Sequence, residues 1–315
     1  MEYRTLNPNE FNQWLDHCVY VFNEGKYSES FRYYFKNHFI NDPYADFDSI
    51  FVAMDGEEIA ATVRLFYRDI YLNGKKIKTG GIGEVSTKPQ YRGMGLATNL
   101  LNMAINKMEE KSINVSLLFA SRHTFYNMFD YQLIETPINI VEVNKDQKIF
   151  DIQIRDTEFS WDLKDIMNIY ETYSSKFNST VVRTEDYWQN WVRQEYRNSL
   201  VALDNNKIIG YIFYDVGNER VNIKEFGFID NVDKSLIFDA FLQNIANKIE
   251  REKSIFTFPS VIKSNYASVE SDFDKSKMYR LVKSFELNGK LIDTNQKLID
   301  VLKTDKLLFW STDGY

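Results

Sequence analysis

Residues 80–97 read Gly80-Gly81-Ile82-Gly83-Glu84-Val85-Ser86-Thr87-Lys88-Pro89-Gln90-Tyr91-Arg92-Gly93-Met94-Gly95-Leu96-Ala97. The run describes a strand, a turn at Pro89, a glycine-containing loop and the start of a helix. Gln90, Gly93 and Gly95 stand in the order Q-x-x-G-x-G. Such a loop lets backbone N–H groups converge where no side chain intervenes. The helix N-terminus behind it adds partial positive charge, so the place suits a phosphate or pyrophosphate.

Working outward, apolar spacing predicts an amphipathic helix over residues 8–22, with Phe11, Leu15, Cys18, Val19 and Phe22 on one face. A strand meander follows: residues 50–54, a turn at Asp55-Gly56, residues 59–71, a hairpin at Asn73-Gly74, then residues 76–87. Leu96, Leu100, Leu101, Ala104, Ile105 and Met108 mark the helix after the loop. Residues 115–120 read as a buried strand and 122–129 as a short helix.

The second half repeats part of this order. Residues 52–59 (VAMDGEEI) match 201–208 (VALDNNKI) without a gap, and both read as strand, turn, strand. Helices are expected near residues 161–173 and 184–194, with a strand at 221–229, a helix at 234–249 and a strand at 254–258. A duplicated domain accounts for the shared order. After residue 229 the second half continues Asp230-Asn231-Val232-Asp233-Lys234, with no glycine loop and with carboxylates where phosphates would sit. The second copy is therefore expected to be structural or substrate-shaping, without a carrier site.

At 315 residues the chain can hold two domains with their own cores, and its 44% hydrophobic content excludes a disordered chain. Lys and Arg total 38 against 45 Asp and Glu, with no long basic run, which argues against a nucleic-acid partner. A mildly acidic chain instead tolerates a cationic small molecule such as an amine. Cys18 is the only cysteine, so an intrachain disulfide and a multi-thiolate metal site are excluded. His17, His38 and His123 are too scattered to imply a metal site. No apolar run reaches transmembrane length and none opens the chain as a signal segment, so a cytoplasmic protein without a membrane partner is expected.

The loop at residues 90–95, preceded by Val85-x-Thr87-x-Pro89-x-x-Arg92 and followed by Leu96-Ala97 opening a helix, resembles motif A of the GNAT superfamily of N-acetyltransferases. The order of elements in the first half is similar to that fold. The resemblance implies acetyl-CoA as cosubstrate. The backbone of Val85 and Thr87 would pair with the pantetheine arm, and N–H groups from Arg92 to Leu96 would hold the pyrophosphate. The implied contacts are Val85, Ser86, Thr87, Arg92, Gly93, Met94, Gly95, Leu96 and Ser121. The implied fold class is α/β (α+β): two tandem GNAT-type domains, each a mixed, mostly antiparallel sheet flanked by helices. These would span residues 1–145 and 146–264, with a C-terminal segment at 265–315 docking its terminus into the first domain.

Two such domains, only the first with motif A, resemble the tandem-domain enhanced-intracellular-survival (Eis) acetyltransferases. In Ser121-Arg122-His123-Thr124-Phe125-Tyr126-Asn127-Met128-Phe129-Asp130-Tyr131, Tyr126 matches that family's general acid and Phe129-x-Tyr131 the F-G-Y after it. Asp130 replaces the usual glycine, a departure that bears on the turn. The family's terminal carboxylate acts as base, which implies that role for Tyr315. Phe309, Trp310 and Tyr315 would be costly to leave in water, so a docked tail is expected. Residues 277–282 (KMYRLV) resemble the entry to the family's third domain, most of which is expected to be missing here. Self-association is a further implication.

Amine attack on a thioester needs a base for the amine proton and an acid for the thiolate. A tyrosine with an ordinary pKa of about 10 can serve as that acid, and Tyr126 is the candidate. Glu84 is the second candidate base, although strand alternation puts it opposite Val85 and Thr87, where pairing with an arginine would make it structural. Asp313 and Glu24 are candidates to line an acidic amine pocket. The leading expectation is an N-acetyltransferase acting on a primary amine, aminoglycoside or lysine-like. The alternative is a non-catalytic acyl-CoA-binding or ligand-sensing protein of the same fold. Aminoacyl transfer from tRNA, also performed by tandem domains of this fold, is disfavoured by the glycine loop and the lack of a basic patch.

Overall fold

The computed structural model describes residues 1–195 and 197–315. Strands β1 (Glu2–Thr5), β2 (Ile50–Asp55), β3 (Glu58–Leu72) and β4 (Lys75–Thr87) form an antiparallel meander. Helices α1 (Phe11–Phe22) and α2 (Glu29–Ile40) precede β2, and α3 (Leu96–Glu110) carries the chain from β4 to the parallel strand β5 (Val115–Phe119). A short helix α4 (His123–Asn127) leads to β6 (Gln132–Leu133).

The chain then leaves for a second sheet. It enters as β7 (Thr136–Asn144), adds β8 (Gln153–Asp156), and passes through α5 (Phe159–Ser174) and α6 (Glu185–Asn190). The meander β9 (Ser199–Asp204), β10 (Lys207–Val216), β11 (Arg220–Phe228) follows. Helix α7 (Lys234–Lys248) crosses to the parallel strand β12 (Lys253–Pro259), and β13 (Ser268–Asp274) closes the edge. The chain next returns to the first sheet as β14 (Lys277–Leu281), inserted between β5 and β6. A small hairpin of β15 (Phe285–Leu287) and β16 (Lys290–Ile292) and helix α8 (Asn295–Leu302) precede the C-terminal tail.

The two sheets have the same plan. The first runs β1-β2-β3-β4-β5-β14-β6, the second β8-β9-β10-β11-β12-β7-β13, with one parallel pair in each. The hairpins that hold residues 52–59 and 201–208 occupy corresponding places, β2-β3 and β9-β10. The sixth position in each sheet is filled by a strand from the other part of the chain. This exchange corrects the boundaries expected at residues 145 and 264. β7 lies before 145 but pairs in the second sheet, while β13 and β14 of the expected C-terminal segment are divided between the two sheets. Strand pairing between distant segments leaves no local trace in composition, so the exchange could not be read from linkers.

Helix α2 was not anticipated. Ser28 caps it by accepting from the Phe31 N–H at 3.3 Å, but Phe35 is its one buried residue, so its apolar stripe is weak. A continuous core joins both sheets: Phe66, Ile70, Val115 and Leu117 of the first sheet belong to the same cluster as Tyr211, Phe226 and Trp310.

The tail is packed mainly against the second sheet, and its Tyr315 ring reaches the first. Trp310 is fully buried and its Nε1–H donates to Ser174 Oγ at 3.0 Å. Burying such a side chain stabilises by about 3 kcal/mol. Thr312 and Asp313 are held by Arg183, which also bonds Glu225 on β11. The chain then turns back so that the Tyr315 ring enters the first sheet, stacking on Phe66 at 4.7 Å between centroids.

Candidate active site

The β4–α3 loop begins with a single 3-10 turn, Pro89–Tyr91. Gly93 (φ 81°) and Gly95 (φ 76°) adopt left-handed backbone, which L side chains disfavour. The space where their Cβ atoms would point is open. Gly95 is the N-cap of α3 and offers no side chain to the first-turn N–H groups, which remain available to a ligand. In the second sheet the corresponding helix α7 is capped by its own Asp233, which accepts from Leu236 N–H at 3.0 Å. An anion is thus already supplied there by the chain itself.

The parallel pairing of β4 with β5 stops at Ile82–Leu118, and beyond it the strands diverge. A register shift in the β3–β4 ladder lies at the same point, and Glu84 there has φ 52°. This bulge turns the end of β4 away from its neighbour. The opening leads to a cavity of about 750 Å³. Val85, Ser86, Thr87, Arg92, Gly93, Gly95, Leu96, Ser121 and Tyr126 line it, together with Phe22 of α1 and Phe119 of β5. Three expected site residues do not. Met94 is largely exposed on the outer side of the loop, and Glu84 and Tyr315 lie behind the cavity wall.

Ser86 is held from behind by His17. The His17 Nδ1–H donates to the Ile59 carbonyl at 2.9 Å, so Nε2 accepts from the Ser86 hydroxyl at 3.0 Å. Burial pushes His17 down to about 4, which keeps this neutral arrangement at physiological pH.

Tyr126 projects from α4 and packs edge-on to Phe125 at 5.0 Å. Burial raises its pKa above the ordinary value, partly opposed by Arg122, so the phenol is protonated at neutral pH. The turn after it is braced from the C-terminal region: Arg280 Nη1 donates to Phe129 O at 2.7 Å, and Asn295 Nδ2 donates to Asp130 O. Asp130 sits at φ 60°, where glycine is usual and Asp is tolerated, so the substitution preserves the turn.

Glu84 belongs to a buried charge cluster. Arg64 lies 3.3 Å from Glu84 and 3.1 Å from Asp42, and Arg68 lies 2.9 Å from Asp42. Arg64 also donates to the His38 carbonyl at 3.2 Å. One Glu84 carboxylate oxygen is buried without a hydrogen-bond partner. Burial pushes Glu84 up to about 7, against the opposing pull of Arg64. Arg64, Arg68, Asp42 and His38 were not singled out from the sequence. Arg64 and Arg68 are four apart on one strand and so share a face, a signal that was present but said nothing of its partners.

The Tyr315 hydroxyl donates to Leu117 O at 3.2 Å, and its ring meets Phe119 edge-on at 5.6 Å. Gly81 on β4 makes room for that ring. The preceding residue, Gly314, lines a separate cavity of about 390 Å³ with Tyr34 and His38 of α2 and Trp191, Arg193 and Arg197 of the second domain. Asp313 and Glu24, expected to make an amine pocket acidic, line neither cavity: Asp313 is fully buried on Arg183, and Glu24 occupies the turn after α1.

Residues 2–134 match the family described as the acetyltransferase (GNAT) domain. The chain's tandem architecture is similar to several solved structures. A probable N-acyltransferase from Enterococcus faecalis aligns with TM-score 0.73 at 14% identity, covering 89% of this chain and 72% of that one. Eis1 from Mycobacterium abscessus aligns with TM-score 0.62 at 12% identity, covering 90% and 74%. N-myristoyltransferase from Saccharomyces cerevisiae with bound myristoyl-CoA aligns with TM-score 0.56 at 11% identity, covering 93% and 83%. No curated protein matches the sequence. Among the described residues, no helix is long and apolar enough to cross a membrane.

Proposed function

We propose that this protein is an acetyltransferase that moves the acetyl group of acetyl-CoA to a primary amine by direct attack. The observation that carries the reading is the convergence of three separate segments on one cavity: the end of β4, the glycine loop and Tyr126. The loop and the α3 N-terminus hold the pyrophosphate, and the divergence of β4 from β5 admits the pantetheine arm, whose amides bond the freed backbone of Val85 and Thr87. Acetyl-CoA as donor and the lone buried Cys18 fit a cytoplasmic setting.

In this mechanism the amine nitrogen forms a bond to the thioester carbonyl carbon. The C–S bond then breaks and the thiolate takes the Tyr126 proton. The amine proton passes to a base, for which Glu84 is the candidate through its unpartnered oxygen. The second domain supplies shape and no donor site. The test is calorimetry with acetyl-CoA alongside thiol release over an amine panel. Tight binding with amine-dependent release supports the proposal, whereas binding without release under any amine supports the non-catalytic alternative.

A further inference from the structure

We propose that the acceptor carries, besides its amine, an anionic group (carboxylate or phosphate) bound by Arg193 and Arg197 in the 390 Å³ cavity between α2 and the second domain. This rests on the reading above and names the class of amine. Both arginines are exposed residues lining that cavity, Arg193 lies over the Phe159 ring at 5.2 Å, and among the residues whose side chains are described neither pairs with a carboxylate and no Asp or Glu shares the lining. Arginine is the cation best suited to bidentate binding of carboxylate or phosphate.

The rest of the cavity suits the body of such a molecule. His38 packs against Tyr34, at 4.0 Å between ring centroids, and Trp191, at 4.8 Å, and the exposed part of Tyr34 offers aromatic surface to an aliphatic chain. His38 is held down to about 3 by burial and by the charges of Arg64 and Arg68, so it adds no carboxylate-like attraction and no cation. Its Nδ1 is buried without a partner and can accept an N–H. A polycation would meet Arg193 and Arg197 at the wall, which disfavours it electrostatically.

The cavity is also placed to deliver an amine to the donor. Gly314 lines it, and the next residue's ring touches Phe119, which lines the donor cavity. Glu84 reaches the same partition through Arg64. The anion is held at the far wall and the amine faces the partition.

The experiment compares amines of equal length but different terminal charge with the full chain. 6-Aminohexanoate, hexylamine and 1,6-diaminohexane form one series, and phosphoethanolamine against ethanolamine separates phosphate from carboxylate. Thiol release is measured for each, and binding of each is measured separately by saturation-transfer NMR with CoA present. An anionic member is expected to be favoured about tenfold or more over its neutral counterpart, chiefly in KM, and Arg193→Gln/Arg197→Gln is expected to abolish that preference. Preference for the diamine, no preference in binding, or a preference unchanged in the double variant overturns the proposal. If no amine releases thiol but the anionic preference in binding is lost in the double variant, the anion site at Arg193 and Arg197 stands and the enzymatic reading falls.

Discussion

The Tyr315 ring occupies the space that a side chain at Gly81 would fill: a Cβ there would collide with the ring carbons and hydroxyl oxygen of Tyr315. Gly81 has ordinary β backbone, so its small size matters here, and left-handed freedom does not. Gly81→Ala is expected to destabilise by about 1–3 kcal/mol through overpacking. Tyr315→Ala in the same chain is expected to recover part of that loss. Urea unfolding of the two single variants and the double variant forms the cycle, and additive effects would contradict the contact.

Tyr126→Phe is expected to lower kcat about 10²–10⁴-fold while leaving the acetyl-CoA dissociation constant unchanged. Steady-state kinetics together with calorimetry separates the two quantities. Near-normal turnover would remove Tyr126 from the role of acid.

Glu84 gives a pH prediction with a definite sign. Its folded pKa, about 7, lies above its ordinary 4.5, so the fold favours the protonated form. The associated stability is fully present below about pH 4.5 and is lost as pH rises through 7, on the order of 3 kcal/mol in all. Glu84→Gln is expected to remove this slope from unfolding free energies measured across that window. If Glu84 is also the base, kcat/KM rises with an apparent pKa near 7 in the parent and loses that limb in the variant. Retention of the limb would remove Glu84 from the role of base.

Arg183 is fully buried between Glu225 and Asp313, with Tyr170 and Trp188 against its guanidinium at 4.0 and 4.5 Å. Arg183→Ala leaves two buried carboxylates without their cation. The expected loss is about 3–5 kcal/mol in chemical denaturation. Near-neutral stability would show that the tail is not anchored there.

Gly95→Ala places a Cβ on left-handed backbone at the α3 N-cap, a strain of about 1–2 kcal/mol. Weaker acetyl-CoA binding is expected, with Gly95→Asn less affected because Asn tolerates that conformation. Calorimetry on both variants checks the order, and equal affinities would mean that the loop geometry is not what holds the donor.

Much of the donor half of the site was legible in residues 80–97. Glycine positions, strand alternation and the helical stripe from Leu96 to Met108 act over a few residues, and local backbone preference decides them. Tyr126 was legible only by its resemblance to a motif. The acceptor half was not legible, because Tyr34, His38, Trp191 and Arg193 come from α2 and from residues more than 150 positions later in the chain. Glu24 and Asp313 failed as pocket residues for the same reason: a carboxylate's role depends on the cation it meets, and Asp313 meets Arg183.

The sequence by itself determined the strand, the glycine loop and the helix after it, and the lack of such a loop after β11. Those depend on φ preferences and on which residue caps a helix. Only the tertiary structure decided the exchange of β7 and β14 between sheets, the Arg64–Glu84–Asp42 cluster and the seat of Tyr315 over Gly81. Each of these is a contact between distant segments, set by packing and burial and not by any local preference.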